Sequence, residues 1–387
     1  MFRALIVLVM LLTAFTGLGS HVMGGEITYK HLGNGNYQFE LVFYRDCNGA
    51  DVNAVSETLR VWNHPSLTAI PVLFVQRQDL SPNCTQVPGG AGPLLCGTGN
   101  NGGNGIGAIE KVIYRSAPIA LNGNPPAQGW AFTYENFSRS GALTNLSNPS
   151  TYGITLVAKI FNLSQPDDSP VFNEDPNFVT CAGLPYQYNA AVSDANLDSL
   201  HFEFGVPYDH FPLGTYNPPS NPAPIPFNNG FSYLNPTPGP AVNASNVAAA
   251  LDPGNGNLTF NSFTIGNYAL KIVVKAYRSG VLVSETEREI QLVLQPCNSS
   301  NFPPTIAPPF VGGTSYELTV NAGELINFDL LVTDPDTQMN GSAQNITLEG
   351  NLPCTIGPCP SLNVGLPFTA AAQIQAQFTW QTTCDHI

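Results

Sequence analysis

The chain has 387 residues and a formal net charge of −14, with 27 Asp and Glu against 13 Lys and Arg. Phosphate backbones are bound by clustered cations, so this balance argues against a nucleic-acid partner and leaves divalent cations as the more natural ionic one. Gly (36) and Pro (34) are abundant and only 10% of residues are charged, which excludes a helix-rich enzyme and fits short strands joined by many turns.

Residues 1–19 read as an export signal. Met1 to Arg3 is a short basic start, Ala4 to Leu12 is continuously apolar, and Gly17 and Gly19 are small residues ahead of a cleavage point before Ser20. That apolar run is below the roughly 20 residues a spanning helix needs. No later stretch is long and apolar enough, so the chain is expected to be secreted or on the outer cell surface, with no transmembrane segment.

A first unit at 20–165 opens with a hairpin. "GEITYKHL" and "YQFELVFY" flank "GNGN", and Tyr37, Phe39, Leu41 and Phe43 alternate onto one face. Further strands are predicted at "ETLRVWN", "IPVLFVQ", "EKVIYRSAPIAL", "GWAFTYENFS" and "YGITLVAKIFN". The glycine-rich "CGTGNNGGNGIG", with Gly103, Gly105 and Gly107, leads into the alternating "AIEKVIYRS" where a phosphate-cradling loop leads into a helix, so it reads as a surface loop.

A second unit at 166–298 begins "SPVFNEDPNFVTCAGLPYQYNAAVSDANLDSLHFEF" and passes through "NPPSNPAPIPFNNG", read as a wide loop with little regular structure. It ends in two long strands across an "RSG" turn in "GNYALKIVVKAYRSGVLVSETEREIQLVLQPC". After the stiff linker "NSSNFPPTIAPP", a third unit at 299–387 shows "YELTVNAGELINFDLLVTDPDTQ" and "AQFTWQTTCDHI", whose Phe378 and Trp380 are predicted core. "LPYQYNAAVSDANLDSL" and "ELINFDLLVTDPDTQMN" share a strand running into an acidic turn, a weak internal repeat typical of tandem modules. Too few strands accumulate in the third unit for the roughly seven of an immunoglobulin-like sandwich, so it is expected to be truncated and the chain to continue into further domains. The expected fold is all-β: tandem immunoglobulin-like or cadherin-like β-sandwich domains with long Gly-, Pro- and Asn-rich loops.

"GGEITYKHLGNGNYQFELVFYRDC", "IEKVIYRS", "WAFTYENFSRSGALTNL", "SPVFNEDPNFVTCAGLPYQYNAAVSDANLDSL" and "GNYALKIVVKAYRSGVLVSETEREIQLVLQPC" come in this order along the chain. In order and spacing they resemble the N-terminal region of large surface proteins of Bacteroidetes. Those proteins carry polycystic-kidney-disease-type and immunoglobulin-like domains, and commonly end in a gliding-motility-associated sorting domain read by the type IX secretion system. The resemblance implies surface display and adhesion. The chain departs from the family pattern at Phe137 and Ser138, where relatives often have cysteines, and at Asp194 to Leu200, where they have a fuller "DPDGDSL" turn. The first departure implies a reduced disulfide set, and the second weakens the calcium reading.

Calcium is the candidate cofactor. Asp194, Asn196 and Asp198 alternate in one turn and Asp334 and Asp336 in another, a pattern that can direct side-chain oxygens to one point. The same residues equally cap turns by bonding their own backbone, and neither loop alone supplies the six to eight oxygens calcium takes. Eight cysteines in an oxidising compartment favour disulfides. Cys354 and Cys359 are placed to staple one loop and Cys181 and Cys297 to tie the first strand of their unit to its last. Cys47, Cys84 and Cys96 leave one thiol over if the first unit is self-contained, and connectivity stays open.

No motif for a hydrolase, metalloprotease or phosphate loop appears, and the six histidines are scattered. Asp209 and His210 are adjacent, which on an extended strand sends their side chains to opposite faces and argues against a relay. Glu174 and Asp175 are sequence neighbours, which seldom span a glycosidase cleft. Trp62, Tyr216, Phe227, Phe231 and Tyr233 lie in or beside loops, where rings either stack on sugars or anchor the loop from below. The chain therefore reads as a non-enzymatic, adhesin-like binding protein whose partners are extracellular glycans or surface proteins. The alternative is a carbohydrate-binding accessory region of a larger secreted hydrolase.

Overall fold

The computed structural model describes residues 22–386 apart from 82–94, 162–165, 297–303, 337–342 and scattered positions of one or two residues. The export signal at 1–19, Cys84 and Cys297 lie outside the described residues. The fold is all-β, and none of the described helical turns is long and apolar enough to cross a membrane.

Eight strands precede residue 165: β1 (Val22–Gly33), β2 (Asn36–Asp46), β3 (Ser56–Trp62), β4 (Ala69–Asp79), β5 (Ile109–Ser116), β6 (Ile119–Ala120), β7 (Trp130–Asn136) and β8 (Ile154–Ile160). The β1–β2 hairpin forms in the expected place. Asn34 and Gly35 both take positive φ, 52° and 71°, as a two-residue turn between twisted strands requires. Tyr37, Phe39, Leu41 and Phe43 are buried on the predicted face, beside Ile27 and Tyr29.

Seven strands follow: β9 (Val179–Cys181), β10 (Pro185–Tyr188), β11 (Ser199–Phe204), β12 (Val247–Leu251), β13 (Leu258–Asn261), β14 (Gly266–Arg278) and β15 (Val281–Gln295). Residues 20–165 and 166–298, read from the sequence as two sandwiches in series, share one 12-stranded sheet. Its path runs β1-β2-β5-β4-β3-β7-β8-β15-β14-β11. One edge of β15 pairs with β14 along its length, while the other pairs with β8 at Ser284–Thr286 and with β1 at Arg288–Ile290. Strand β15 therefore closes β1, β2, β5, β4, β3, β7 and β8 into a ring, with β6 beside β2 off its path.

That ring encloses a core that includes Phe39, Leu59, Val72, Trp130, Phe132 and Leu156, with Phe39 and Phe132 4.4 Å apart. The second core lies between the sheet's outer face and the small sheet β10-β13-β12. Tyr186, Phe202, Phe260, Leu270, Ile272 and Leu292 pack there against Met23, Val42, Tyr44, Ile109 and Ile113 from the first unit. The end of β2 is thus buried on both faces, which accounts for its unbroken apolar run, "LVFY". At Gly24 and Gly25, where β1 enters between β15 and β2, there is no room for a side chain. A Cβ on Gly24 would lie 1.8 Å from the Glu289 carbonyl oxygen, and one on Gly25 would lie 2.4 Å from that of Val42.

The proline-rich excursion contains no strand between Phe204 and Val247, as predicted, but it is anchored. Asn145, fully buried, donates to the carbonyls of Pro236 and Ala269 at 2.8 Å each and accepts from the Ala269 N–H at 3.0 Å. The third unit has β16 (Thr305–Ile306), β17 (Leu325–Thr333), β18 (Asn345–Leu348), β19 (Ser361–Leu362), β20 (Phe368–Ala371) and β21 (Gln373–Gln381). Its sheets β16-β17-β21-β19 and β18-β20 meet around Val332, Ile346 and Ile374. Phe378 stacks on Phe328 at 4.8 Å, but both it and Trp380 are half-buried, short of the core placement predicted for them.

Candidate functional site

The acidic turn before β11 is built by its own carboxylate. Asp194 Oδ1 accepts the N–H groups of Asn196 and Asp198 at 2.8 and 3.2 Å, and Leu197 takes a φ of 63° to close the turn. Asn196 Oδ1 accepts the N–H of Asp168 at 2.7 Å. Asp198 is gripped by Arg278 on β14, with Nε to Oδ1 at 2.7 Å and Nη2 to Oδ2 at 2.6 Å. The same Nη2 reaches Asp167 Oδ1 at 2.5 Å.

Asp167, absent from the sequence-derived set, completes the cluster, and ligand atoms of Asp167, Asp194 and Asp198 lie within 4.8 Å of one another. Burial, a hydrogen bond with Asp198 and the charge of Asp194 push the Asp167 carboxyl up to about 8, against the pull of Arg278. Burial likewise raises Asp194. Asp194 and Asp198 of the expected calcium set thus come together, while Asn196 turns its amide oxygen to the Asp168 N–H. Arg278 supplies the guanidinium that faces the cluster, and two of the cluster's oxygens, Asp167 Oδ2 and Asp194 Oδ2, are buried without a hydrogen-bond partner. Asp334 repeats the cap, accepting the Asp336 N–H at 2.9 Å, and among the described residues no third acidic, His or Cys side chain joins that pair to make a metal-ligand group.

The five loop aromatics do not form one platform. Trp62 and Tyr216 approach the same ring, Phe211, at 5.4 and 6.0 Å. Arg60 lies over Trp62 and Phe211 at 4.3 and 4.7 Å, pairs with Glu135 and donates to the Phe211 carbonyl at 2.7 Å. Phe227 packs against Leu143, Leu146 and Ile225, and Phe231 tilts onto Tyr268 at 5.9 Å, so both anchor the excursion from below. Tyr233 is exposed.

A buried charged seam escaped the sequence reading, although "SETEREIQ" on β15 carries half of it. Arg288 makes two bonds to Glu26, at 2.5 and 2.6 Å, donates to the Tyr188 hydroxyl at 2.8 Å and stacks over Phe172 at 4.2 Å. Lys271 bonds Glu287 at 3.0 Å, and Arg139 pairs with Glu289. Burial works against the Lys271 ammonium, yet Glu287 and Glu289 together raise its pKa above the ordinary value.

Disulfides join Cys47 to Cys96 and Cys354 to Cys359; Cys181 is also disulfide-bonded, and Cys384 is a free, exposed thiol. Asp209 and His210, expected on opposite faces, touch, with Oδ1 3.0 Å from Nδ1, because the chain there is not an extended strand. Asp209 Oδ1 also accepts the Gly153 N–H at 2.6 Å, so the pair fastens the excursion to the ring. Glu174 and Asp175 part ways: Asp175 pairs with Lys111 at 2.6 Å and the Glu174 carbonyl accepts from Arg288. No family model, curated protein or solved structure matches the chain.

Proposed function

We propose that this chain is a secreted or cell-surface structural protein, adhesin-like in presenting a binding surface instead of turning over a substrate. The observation that carries this reading is β15, which pairs with β14, β8, β1 and β9 and so locks two cores into one body. A stalk element must transmit force without its parts separating, and shared strands resist separation better than a linker between independent domains. The resemblance to gliding-motility-associated surface proteins supports display outside the cell and export by type IX secretion. Single-molecule pulling on the full chain tests the reading: the halves on either side of residue 165 are expected to rupture together, and two separate ruptures would count against it.

The accessory carbohydrate-binding reading draws on one observation, the meeting of Trp62 and Tyr216 around Phe211 beside Arg60. A glycan array probed with the full chain and with Trp62→Ala separates the two: retention lost in the variant supports sugar binding, and no retention by either removes it.

A further inference from the structure

The turn between β3 and β4 closes one end of the ring, and a histidine holds it together. Val61 N–H donates to the Thr68 carbonyl at 2.9 Å across the neck of the turn, and half-buried Leu67 packs on the ring's core, which includes Val61 and Trp130. Inside the turn, His64 Nδ1 accepts the N–H of Ser66 at 3.2 Å and that of Leu67 at 2.9 Å. An Asn or Asp side chain caps a turn in this way, and here an imidazole takes its place. Accepting at Nδ1 puts the hydrogen of the neutral ring on Nε2. That nitrogen is buried without a hydrogen-bond partner, and the ring lies against Trp130, the first residue of β7, with centroids 4.4 Å apart.

No charge offsets a proton added there. The segments packed around the turn, 61–72 and 117–134, contain no Asp, Glu, Lys or Arg. Asn63 Nδ2 ties the turn to the second of them by donating to the Gly129 carbonyl at 3.1 Å, and a Cβ at Gly123 would touch both Pro65 and Trp130, at 3.6 and 3.8 Å. On β8, Ile160 is the cross-strand partner of Trp130, while Lys159 beside it faces the other way and pairs with Glu285 at 2.6 Å. The indole face alone would favour an imidazolium; burial and two N–H groups aimed at Nδ1 oppose one. Burial holds the His64 pKa below its ordinary value.

We propose that His64 is an acid-operated catch on this turn: neutral, it holds residues 63–68 closed over Trp130, and protonated at Nδ1 it lets the turn go. The proton comes from solvent and takes the lone pair that Ser66 and Leu67 share, so both N–H groups lose their acceptor at once. Strand β3 keeps its pairing with β4 and β7, because the catch acts on the turn alone. A histidine lowered in this way contributes stability that is complete above the unfolded value of about 6.5 and is lost as pH falls through the folded value.

Histidine NMR of the full chain reads the catch directly. The His64 ring is identified by its cross-peaks to the Trp130 indole and by its absence from His64→Asn, whose amide oxygen can accept the same two N–H groups. It is expected to titrate below about 6.5, and the protection of the Leu67 amide against hydrogen exchange is expected to fall severalfold through that titration while staying level in His64→Asn. Titration at or above about 6.5 would overturn the proposal, and so would Leu67 protection that does not follow it. Because the cross-peaks identify the ring in the wild type, these readings decide even where the variant does not fold. Thermal melts give a second test. Between about pH 7.5 and about pH 5 the wild-type Tm is expected to fall about 1–2 °C further than that of His64→Asn, and parallel profiles would overturn the proposal.

Discussion

The body at 22–295 and the sheet pair at 305–386 contain the same capped acidic turn, Asp194 in one and Asp334 in the other, yet they surround it differently. Asp194 sits in a cluster answered by Arg278 from a distant strand. Among the described residues no ion pair answers Asp334, and residues 299–387 contain seven Asp and Glu and no Lys or Arg. The cap is a local property that five residues can encode, whereas the neutralisation belongs to the topology. The cores differ in the same sense: in the body the core under the small sheet β10-β13-β12 is built by side chains from both halves, and in the third unit three buried side chains, Val332, Ile346 and Ile374, hold two small sheets together.

The three tryptophans make this contrast measurable, since Trp62 and Trp130 report on the body and Trp380 on the third unit. The largest effect is expected from Gly24→Ala. Its Cβ would overlap the Glu289 carbonyl, so the body should lose more than about 4 kcal/mol and both body indole NMR signals should collapse, with the Trp380 signal unchanged. Simultaneous loss of Trp380 would break the separation drawn between the two regions. Next comes Arg288→Met, which strands the Glu26 carboxylate in the body and should cost about 3–5 kcal/mol in urea melts. Adding Glu26→Gln should recover part of that, and additive losses would mean the pair is not coupled. The smallest effect is that of salt. Moving from low to high ionic strength screens the mutual repulsion of the third unit's like-charged carboxylates and should stabilise it by up to about 1 kcal/mol, with the body nearly unmoved. An equal response of both regions would erase the electrostatic half of the comparison.

The parts of the fold written in short sequence were readable. The Asn34-Gly35 turn, the alternation of Tyr37, Phe39, Leu41 and Phe43, and the acidic caps each depend on neighbours within a few residues. The candidate site was half readable for the same reason. Asp194 and Asp198 stand in a recognisable turn, but Asp198 meets Arg278 across 80 residues and Asp167 comes from another segment altogether. The sharing of the sheet was hidden more deeply, because Glu26 and Arg288 lie 262 residues apart and each, read alone, is an ordinary surface charge on a strand. "LVFY" in β2 did carry a signal, as an unbroken apolar run too rich for a one-faced strand.

The position of β15 also sets an order of events for a chain that is made from its N-terminus. Strand β1 has a partner in β15, the last strand of the body, so β8 and β1 have open edges until Ser284 to Ile290 arrive. Exposed strand edges pair with whatever strand is nearest, and contacts between distant residues form slowly. A body closed by its own late strand is therefore kept unfinished while it is being made, and becomes a single object only once that strand has been added.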